Sequence, residues 1–286
     1  MTFSKNSIFT TLIVVFAISL IGVPKIQLIK DKVNSQNQQL IALTQEIKDL
    51  QKKQHKQSLN LHRKNASFET KRKLDSILSP VFQINGNSAV GSAVLVNRFV
   101  EEDEQYYLAL SCYHVIRDIL AEQDSEDIES IFEQGRETPL HLQARLIAHD
   151  ADLDLALIKI KYDKKLAPVA KLAPISRAND IQTFSEIYTV GSPLGTPVQG
   201  TSGEISRKDW KMEREDYWMI SAPAYFGNSG GGVFLAETYE LIGIFSKIYT
   251  HGSFQPQVIT HMGLAIPLDV IHNWLNSIGF NINNTT

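Results

Sequence analysis

The chain has 286 residues, of which 43% are hydrophobic and 21% are charged. This ordinary globular composition excludes a disordered chain, a collagen-like repeat and a disulfide-rich scaffold. The net charge of −3 conceals an asymmetry, because residues 1–80 carry 13 basic and 5 acidic side chains while residues 81–286 carry 15 and 26. The sequence therefore has a basic N-terminal part and an acidic C-terminal part.

The first element is an apolar run. Residues 7–23 contain no charged side chain, and with Pro24 they would form about 27 Å of helix, close to the hydrocarbon thickness of a bilayer. We predict a transmembrane anchor over residues 1–24, with the membrane crossed by residues 7–24. A cleaved signal peptide is the alternative, although the small-x-small triplet starting at Ala17 lies inside the apolar run.

Residues 25–79 contain neither proline nor glycine and follow a heptad pattern. This pattern predicts a coiled-coil stalk, and an amphipathic helix lying on lipid is the alternative. The a and d positions stay largely apolar through Leu50, and we call the apolar ones up to that residue the seam: Ile26, Ile29, Val33, Leu40, Leu43, Ile47 and Leu50. The basic residues of this part lack interleaved aromatic residues and a nucleic-acid motif, so no nucleic-acid partner is expected.

From Pro80 onward, short runs rich in β-branched and aromatic residues alternate with turn residues, which predicts a mostly β domain built as barrels or a sandwich. A final helix is predicted over Leu268–Ile278. The acidic segment 121–137 is expected to be a solvated loop or a short helix. The predicted strands cover residues 89–96, 106–110, 142–148, 155–160, 187–190, 217–220, 231–234 and 241–246.

The clearest chemical signal is the sequence Gly-Asn-Ser-Gly-Gly at residues 227–231. Glycines around a serine allow a tight bend in which backbone N–H groups point at a developing oxyanion. Ser229 is therefore a candidate nucleophile, and such a serine needs a base and an orienting acid. His114 follows a predicted strand, and Asp150, Asp152 and Asp154 precede another. The order His, Asp, Ser is that of chymotrypsin-like double barrels.

Two other classes of site are excluded by spacing. An α/β-hydrolase would need an acid and then a histidine after the serine, but Asp269 and His272 lie close together on the predicted final helix. No paired Cys/His or His-Glu-x-x-His motif is present. We therefore expect no metal and no cofactor.

Eight segments resemble, in order and spacing, the trypsin-like peptidase domain of the HtrA (Deg) family over about residues 80–278. They are GSAVLV, SCYHVI, DLALIKI, VGSPLG, QGTSGEIS, GNSGGGVF, LIGI and GLAIP. The resemblance implies a serine endopeptidase of two packed six-stranded β-barrels with the site between them. It implies that His114 is the general base, that Asp154 orients it, that Ser229 attacks the carbonyl, and that the amides of Gly227 and Ser229 form the oxyanion hole.

The chain departs from the family pattern at three points. Cys112 replaces the asparagine that usually lies two residues before the histidine, and Gly232 replaces the proline that usually follows the glycine pair. Neither change removes a catalytic group. We expect no C-terminal PDZ domain after the peptidase domain, and residues 279–286 are expected to be a tail.

The substrate pocket implied by the resemblance is formed by Pro223, Ala224, Ser246 and Ile248. Cleavage after lysine or arginine is not expected, because Pro223 stands where a trypsin-like pocket would carry aspartate. We expect small or medium aliphatic P1 residues, with acidic P1 residues as the alternative because Lys247 is adjacent.

The expected function is a membrane-anchored endopeptidase acting on unfolded or exposed polypeptide segments, and the alternative is a catalytically silent, tethered scaffold with a protease fold. The family resemblance implies an extracytoplasmic, periplasmic-side domain and a homo-oligomer. Lysines at positions 25, 30 and 32 favour the opposite, cytoplasmic-facing orientation, since loop lysines tend to stay in the cytoplasm.

Overall fold

The computed structural model of the chain describes residues 5–212, 215–252 and 256–280, and within these ranges the side chains of residues 5–24, 59, 62, 63 and 215 are outside the description. The chain divides into two compact units, Met1–Phe68 and Glu69–Thr286. The two units are described separately below.

The N-terminal part is helical, as the absence of proline and glycine after residue 24 predicts. Helix α1 spans Lys5–Lys73, and a π-helical turn, Leu74–Leu78, follows it. The seam side chains are solvent-exposed in the single chain; Leu40, for example, is 63% exposed. The predicted membrane segment lies where side chains are outside the description, and no helix among the described residues is long and apolar enough to cross a membrane.

In the second unit, the end of α1 and the π-helical turn precede the first β-barrel. The strands of this barrel close in the order β1-β2-β3-β6-β5-β4. All neighbouring strands are antiparallel. Helix α2, Tyr113–Ala121, follows β3 and buries Val115, Ile116 and Ile119. The strands are β1 (Val81–Asn85), β2 (Val90–Glu101), β3 (Glu104–Cys112), β4 (Asp127–Phe132), β5 (Leu140–Asp150) and β6 (Leu155–Lys161).

The second barrel closes in the order β10-β11-β12-β9-β8-β7, again with antiparallel neighbours. Helix α3, Leu268–Ser277, follows β12 and buries Leu268, Ile271, Trp274 and Leu275, which confirms the predicted final helix. The strands are β7 (Glu186–Gly191), β8 (Gln199–Met212), β9 (Glu215–Ile220), β10 (Gly232–Leu235), β11 (Leu241–His251) and β12 (Gln257–Pro267).

The two six-stranded barrels are as the family resemblance implies, and each of the eight predicted strands lies within or overlaps an observed one. Four strands, β1, β4, β8 and β12, were not predicted from the residue pattern. Strand β8 is the clearest case, because Gly200, Gly203 and many polar residues give it little apolar alternation. Strand β8 is held in the barrel by backbone pairing with β7 and β9, which the pattern of its side chains does not indicate.

The prediction of a solvated loop or short helix over residues 121–137 was wrong, because β4 lies within this segment. Ile128 and Ser130 are buried, whereas the acidic residues between and before them are more exposed. Asp127 pairs with Arg145 and Glu129 with His141 on the neighbouring strand β5. Because the segment is so acidic, the alternation of buried and partly exposed side chains, which is typical of a strand with one buried face, was overlooked.

The corrected assignment of β4 gives a stability prediction. Ile128 is fully buried, so Ile128→Ala should lower the free energy of unfolding by about 2–5 kcal/mol through lost burial and the cavity left behind. The control is Ile147→Ala on β5, where the side chain is 41% exposed and the expected loss is below about 1 kcal/mol. Denaturant unfolding of both variants measures the difference, and equal losses would contradict the placement of Ile128 in the core.

Candidate active site

A cleft of about 930 Å³ lies between the two barrels. Its lining residues come from the start of α2, from the turn before β6, from the end of β8, from the loop before β10 and from β11. The cleft brings together His114, Asp154 and Ser229, the three residues that sequence spacing singled out. Their backbone positions are 40 and 75 residues apart along the chain, so only the closure and packing of both barrels can assemble them.

His114 is held by the end of β3 and the first turn of α2. Cys112 is the last residue of β3 and has an extended backbone, after which the chain turns into the helix at Tyr113. The side chain of His114 is 33% exposed, and its Nδ1 lies 2.8 Å from Asp154 Oδ2. Because the carboxylate accepts the proton on Nδ1, Nε2 is left as the basic ring nitrogen.

Asp154 is a buried acid held by several donors. Its Oδ1 accepts the backbone N–H of His114 at 2.9 Å, and its Oδ2 accepts the hydroxyl of Ser246 at 2.6 Å. Burial alone would raise the pKa of Asp154, but the hydrogen bonds and charge of His114, with the hydroxyl of Ser246, outweigh burial and lower that pKa below its ordinary value. The carboxyl group is therefore ionised at neutral pH.

The turn before β6 explains why one of three neighbouring acids is selected. Asp150 uses Oδ1 to accept the backbone N–H groups of Asp152 and Leu153, both at 3.0 Å, which is an Asx-type turn. Asp152 is exposed at the rim of the cleft. Asp154 follows with a φ of +56°, and its side chain is the one that contacts the histidine.

Ser229 lies in the same cleft, but its hydroxyl is oriented toward a different partner. Its Oγ donates to the carbonyl oxygen of Ser246 at 2.8 Å. Ser246 therefore contacts two of the three predicted residues, through its side chain to Asp154 and through its backbone to Ser229. Sequence reasoning assigned Ser246 only to the substrate pocket and missed this bridging position.

The loop that carries Ser229 is bent by glycines. Gly227 and Gly230 have φ values of +92° and +87°, in the left-handed region that favours glycine. The N–H of Asn228 donates to Tyr225 O at 3.1 Å, and the N–H of Gly231 donates to Asn228 O at 2.8 Å. These bonds fix the turn around the N–H groups of Gly227 and Ser229, which were predicted to bind an oxyanion.

A buried serine on β2 connects this loop to the first barrel. The N–H of Ser92 donates to Ser229 O at 2.9 Å, and its hydroxyl donates to Gly227 O at 2.8 Å. The same hydroxyl accepts the N–H of Ser192 at 2.8 Å. Ser92 was missed from the sequence, although the first segment of the resemblance, GSAVLV, contains it.

The predicted pocket residues separate into two pairs. Ser246 and Ile248 line the cleft, together with Lys247. Pro223 and Ala224 are not among the described lining residues; the Pro223 carbonyl accepts the hydroxyl of Thr201 at 2.7 Å, and Ala224 is buried. Phe226, two residues later, is 55% exposed and does line the cleft.

Cys112 lies directly behind the His114–Asp154 pair. It is fully buried, and its Sγ is 3.2 Å from the carbonyl oxygen of Phe245. Burial first, and then the charge of Asp154, raise the pKa of the Cys112 thiol well above its ordinary value. Ligand atoms of Cys112, His114 and Asp154 all lie within 4.8 Å of one another.

Comparisons with known proteins identify the family and the fold of this chain. The family model "Trypsin-like peptidase domain" matches residues 91–244, which is more than half of the chain. A relative from Hahella chejuensis, named "Probable periplasmic serine endoprotease DegP-like", is 32% identical over 141 residues. The match covers 48% of this chain and 28% of the relative, so this chain matches well under half the length of that protein.

Solved structures show the same fold. "HtrA-type protease AlgW with tripeptide" has a TM-score of 0.54 and 27% identity, over 72% of this chain and 62% of that chain. "Crystal structure of Deg5" has a TM-score of 0.57 at 18% identity, over 76% and 98% of the two chains, which supports the fold alone. The chain therefore belongs to the family of trypsin-like peptidase domains, and DegP-like and HtrA-type serine proteases are among its relatives.

Proposed function

We propose that this chain is a serine endopeptidase that hydrolyses peptide bonds in unfolded or exposed polypeptide segments. The observation that carries the proposal is the 2.8 Å contact between His114 Nδ1 and the buried carboxylate of Asp154, in the cleft that Ser229 also lines. A histidine with its Nδ1 proton fixed by an ionised carboxylate is an oriented base, and a serine hydroxyl needs one to attack a carbonyl.

In the proposed mechanism, His114 Nε2 takes the proton from the hydroxyl of Ser229 as Oγ attacks the substrate carbonyl carbon. The protonated ring is stabilised by Asp154 and then gives its proton to the leaving amine, which releases one product and leaves an acyl-enzyme. A water molecule, activated by the same nitrogen, hydrolyses the ester. The N–H groups of Gly227 and Ser229 bind the oxyanion in both steps.

The mechanism requires Ser229 to leave the hydrogen bond that it makes in this structure. Its hydroxyl donates to Ser246 O at 2.8 Å and must rotate toward His114 before attack. Rotation of a side chain in a partly open cleft takes picoseconds to nanoseconds, and catalytic hydrogen bonds often form only in the substrate complex. The same hydrogen bond favours the second candidate function, a silent scaffold with a protease fold.

We further propose that residues 1–24 anchor the chain in a membrane, that residues 25–79 form a coiled-coil stalk, and that residues 80–278 are the peptidase domain, followed by a tail at 279–286. The anchor rests on the uncharged run of residues 7–23. The periplasmic name of the DegP-like relative supports an extracytoplasmic peptidase domain, against the lysines that follow the anchor. Polypeptides are the proposed substrates, and a second copy of the chain is the proposed partner.

The catalytic proposal predicts the behaviour of single variants of the full chain. Ser229→Ala and His114→Ala should each lower kcat/KM for casein by about 10⁴-fold or more, because the nucleophile and its base act as one unit. Ser229→Ala should also abolish labelling by a serine-directed fluorophosphonate. The control is Ser206→Ala, an exposed serine on β8, which should keep both signals. If the unmodified chain neither cleaves casein nor labels, the scaffold function is favoured instead.

The composition of the cleft predicts the P1 preference. Ile248 offers an apolar wall, and Lys247 is directed toward the ring of Tyr217, with its Nζ 4.9 Å from the ring centroid. We therefore expect preferred cleavage after small or medium aliphatic residues in a peptide library scored by mass spectrometry. Cleavage after acidic P1 residues should increase only if the Lys247 ammonium group leaves the Tyr217 ring and reaches the P1 side chain. Lys247→Ala would then remove that increase. Preferred cleavage after arginine would contradict the proposed pocket.

The stalk proposal predicts the effect of charge on the seam. Leu40 occupies an a position and Ile41 a b position, and both are exposed in the single chain, at 63% and 70%. Leu40→Glu should lower the mass measured by sedimentation of the detergent-solubilised chain, because a buried charge disrupts seam packing. Ile41→Glu adds the same charge one residue away and should leave the mass unchanged. Equal effects of the two substitutions would argue against the seam.

A further inference from the structure

A set of possible metal ligands, which the proposed reaction does not use as such, lies at the wall of the cleft and directly behind that wall. They are the thiol of Cys112, Nδ1 of His114 and the carboxylate of Asp154, with ligand atoms within 4.8 Å of one another. Sulfur, imidazole and carboxylate are the three side-chain ligand types that Zn²⁺ prefers. The family pattern has asparagine at this position, where this chain has Cys112. Unlike the cysteine thiolate, an asparagine amide cannot provide an anionic sulfur ligand.

We propose that Cys112, His114 and Asp154 form an inhibitory zinc site, so that binding of Zn²⁺ switches the peptidase off. Only the predicted inhibition rests on the proposed peptidase function, because binding of the metal needs no catalytic activity. The site is distinct from a catalytic zinc centre, because the ion would occupy the space in which the histidine and the acid contact each other.

The geometry needs only a small rearrangement. Zinc binds sulfur at about 2.3 Å and nitrogen or oxygen at about 2.0–2.2 Å, so tetrahedral ligand atoms lie about 3.3–3.7 Å apart. His114 Nδ1 and Asp154 Oδ2 are 2.8 Å apart and must separate slightly, while the sulfur moves closer. The His114 side chain is 33% exposed, so the ring can shift into the cleft, through which the ion also enters.

The groups around the three ligands suit a metal site. Asp154 is anchored by the backbone N–H of His114 and the hydroxyl of Ser246, and such outer partners orient ligating carboxylates. Three protein ligands leave the fourth zinc position open to water from the cleft. On binding, the thiol proton passes to solvent and the ring proton of His114 moves from Nδ1 to Nε2 through solvent, so that a neutral imidazole binds the ion. The ion takes the place of the proton that His114 shares with Asp154.

Inhibition follows from what the ion removes. When the ion occupies Nδ1, the ring proton lies on Nε2, which then has no free lone pair to accept the proton of Ser229. Asp154, once ligated, no longer stabilises a protonated ring. The Cys112 sulfur gives the site its affinity, because it replaces the hydrogen bond to Phe245 O at 3.2 Å by a bond from thiolate to metal.

The decisive test measures metal binding without relying on activity. The Ser229→Ala full chain, solubilised in detergent, is titrated with cadmium chloride, whose bond to a thiolate gives an ultraviolet charge-transfer band. We expect one equivalent to saturate the band and zinc chloride to displace it. Introducing Cys112→Ser into the same background should abolish the band and weaken zinc binding by about 100-fold or more, because even outer-shell partners of a metal are worth about 10–100-fold.

A control separates this site from a surface histidine. His149 stacks on Tyr113 beside the cleft, with ring centroids 4.2 Å apart, and His149→Gln should leave the band and the zinc affinity unchanged. If Cys112→Ser does not fold, Cys112→Asn takes its place, with circular dichroism confirming the fold of whichever variant is used. A missing band at saturating cadmium, or unchanged zinc affinity after loss of the thiol, would overturn the proposal.

The activity arm uses the unmodified chain. Zinc should inhibit casein cleavage, and the concentration for half inhibition should rise at least about tenfold in Cys112→Ser when each protein is normalised to its own metal-free rate. A chain that forms the band but cleaves nothing would refute the proposed peptidase function and leave the metal site standing. A chain that cleaves casein but binds no cadmium through sulfur would refute the metal site and leave the proposed peptidase function standing.

Discussion

The hydrogen bonds between Ser92 and the loop of Ser229 hold the two halves of the candidate site in register. His114 and Asp154 belong to the first barrel, whereas Ser229 and the amides of Gly227 and Ser229 belong to the second. Ser92 donates its N–H to Ser229 O and its hydroxyl to Gly227 O, and it is fully buried. Without these bonds, each barrel could close on its own and still present its residues at the wrong separation.

A second connection between the barrels passes through strand β11. The hydroxyl of Ser246 donates to the buried carboxylate of Asp154, and the carbonyl of the preceding Phe245 accepts both the Cys112 thiol and the Gly230 N–H. Asp154 is thus supported by a residue of the opposite barrel, and its lowered pKa depends on that support as well as on His114. The electrostatics of the site and the packing of the barrels cannot be separated.

Site residues that belong to a recognisable short sequence motif could be predicted from the sequence. Residues whose importance comes from contacts with distant parts of the chain could not. The motif around Ser229, the histidine after a strand and the acid before another pointed to one cleft because each has a local signature. Ser92 and Ser246 have no such signature: a serine in an apolar strand is ordinary until its partner, more than a hundred residues away for Ser92, is known. Pro223 was assigned to the pocket by position alone, whereas Phe226 lines it.

The strand missed at 127–132 shows the same limit for the fold. Acidic residues on the exposed face of β4 dominated the composition of its segment, and their partners His141 and Arg145 lie on the next strand. The high acidic content of residues 121–137 therefore led to the prediction of a loop, whereas the alternation of buried and partly exposed residues in β4 is typical of a strand. The overall double barrel was correct only because the family resemblance supplied the connectivity that the residue pattern lacked.

The glycines of the Ser229 loop serve the contact between the barrels as much as the oxyanion. A Cβ added to Gly230 would come within 2.0 Å of Ser92 O and 2.4 Å of Ser111 Oγ, both in the first barrel. A Cβ on Gly227 would lie 2.5 Å from Ser192 O, and one on Gly232 would lie 2.3 Å from the ring of Phe234. Glycine at 227 and 230 also permits the positive φ values of the turn. Gly230 is thus a packing requirement as well as a turn residue, since only a residue without Cβ lets the loop of Ser229 approach Ser92 and Ser111 of the first barrel this closely. That approach brings the serine into the cleft with the histidine.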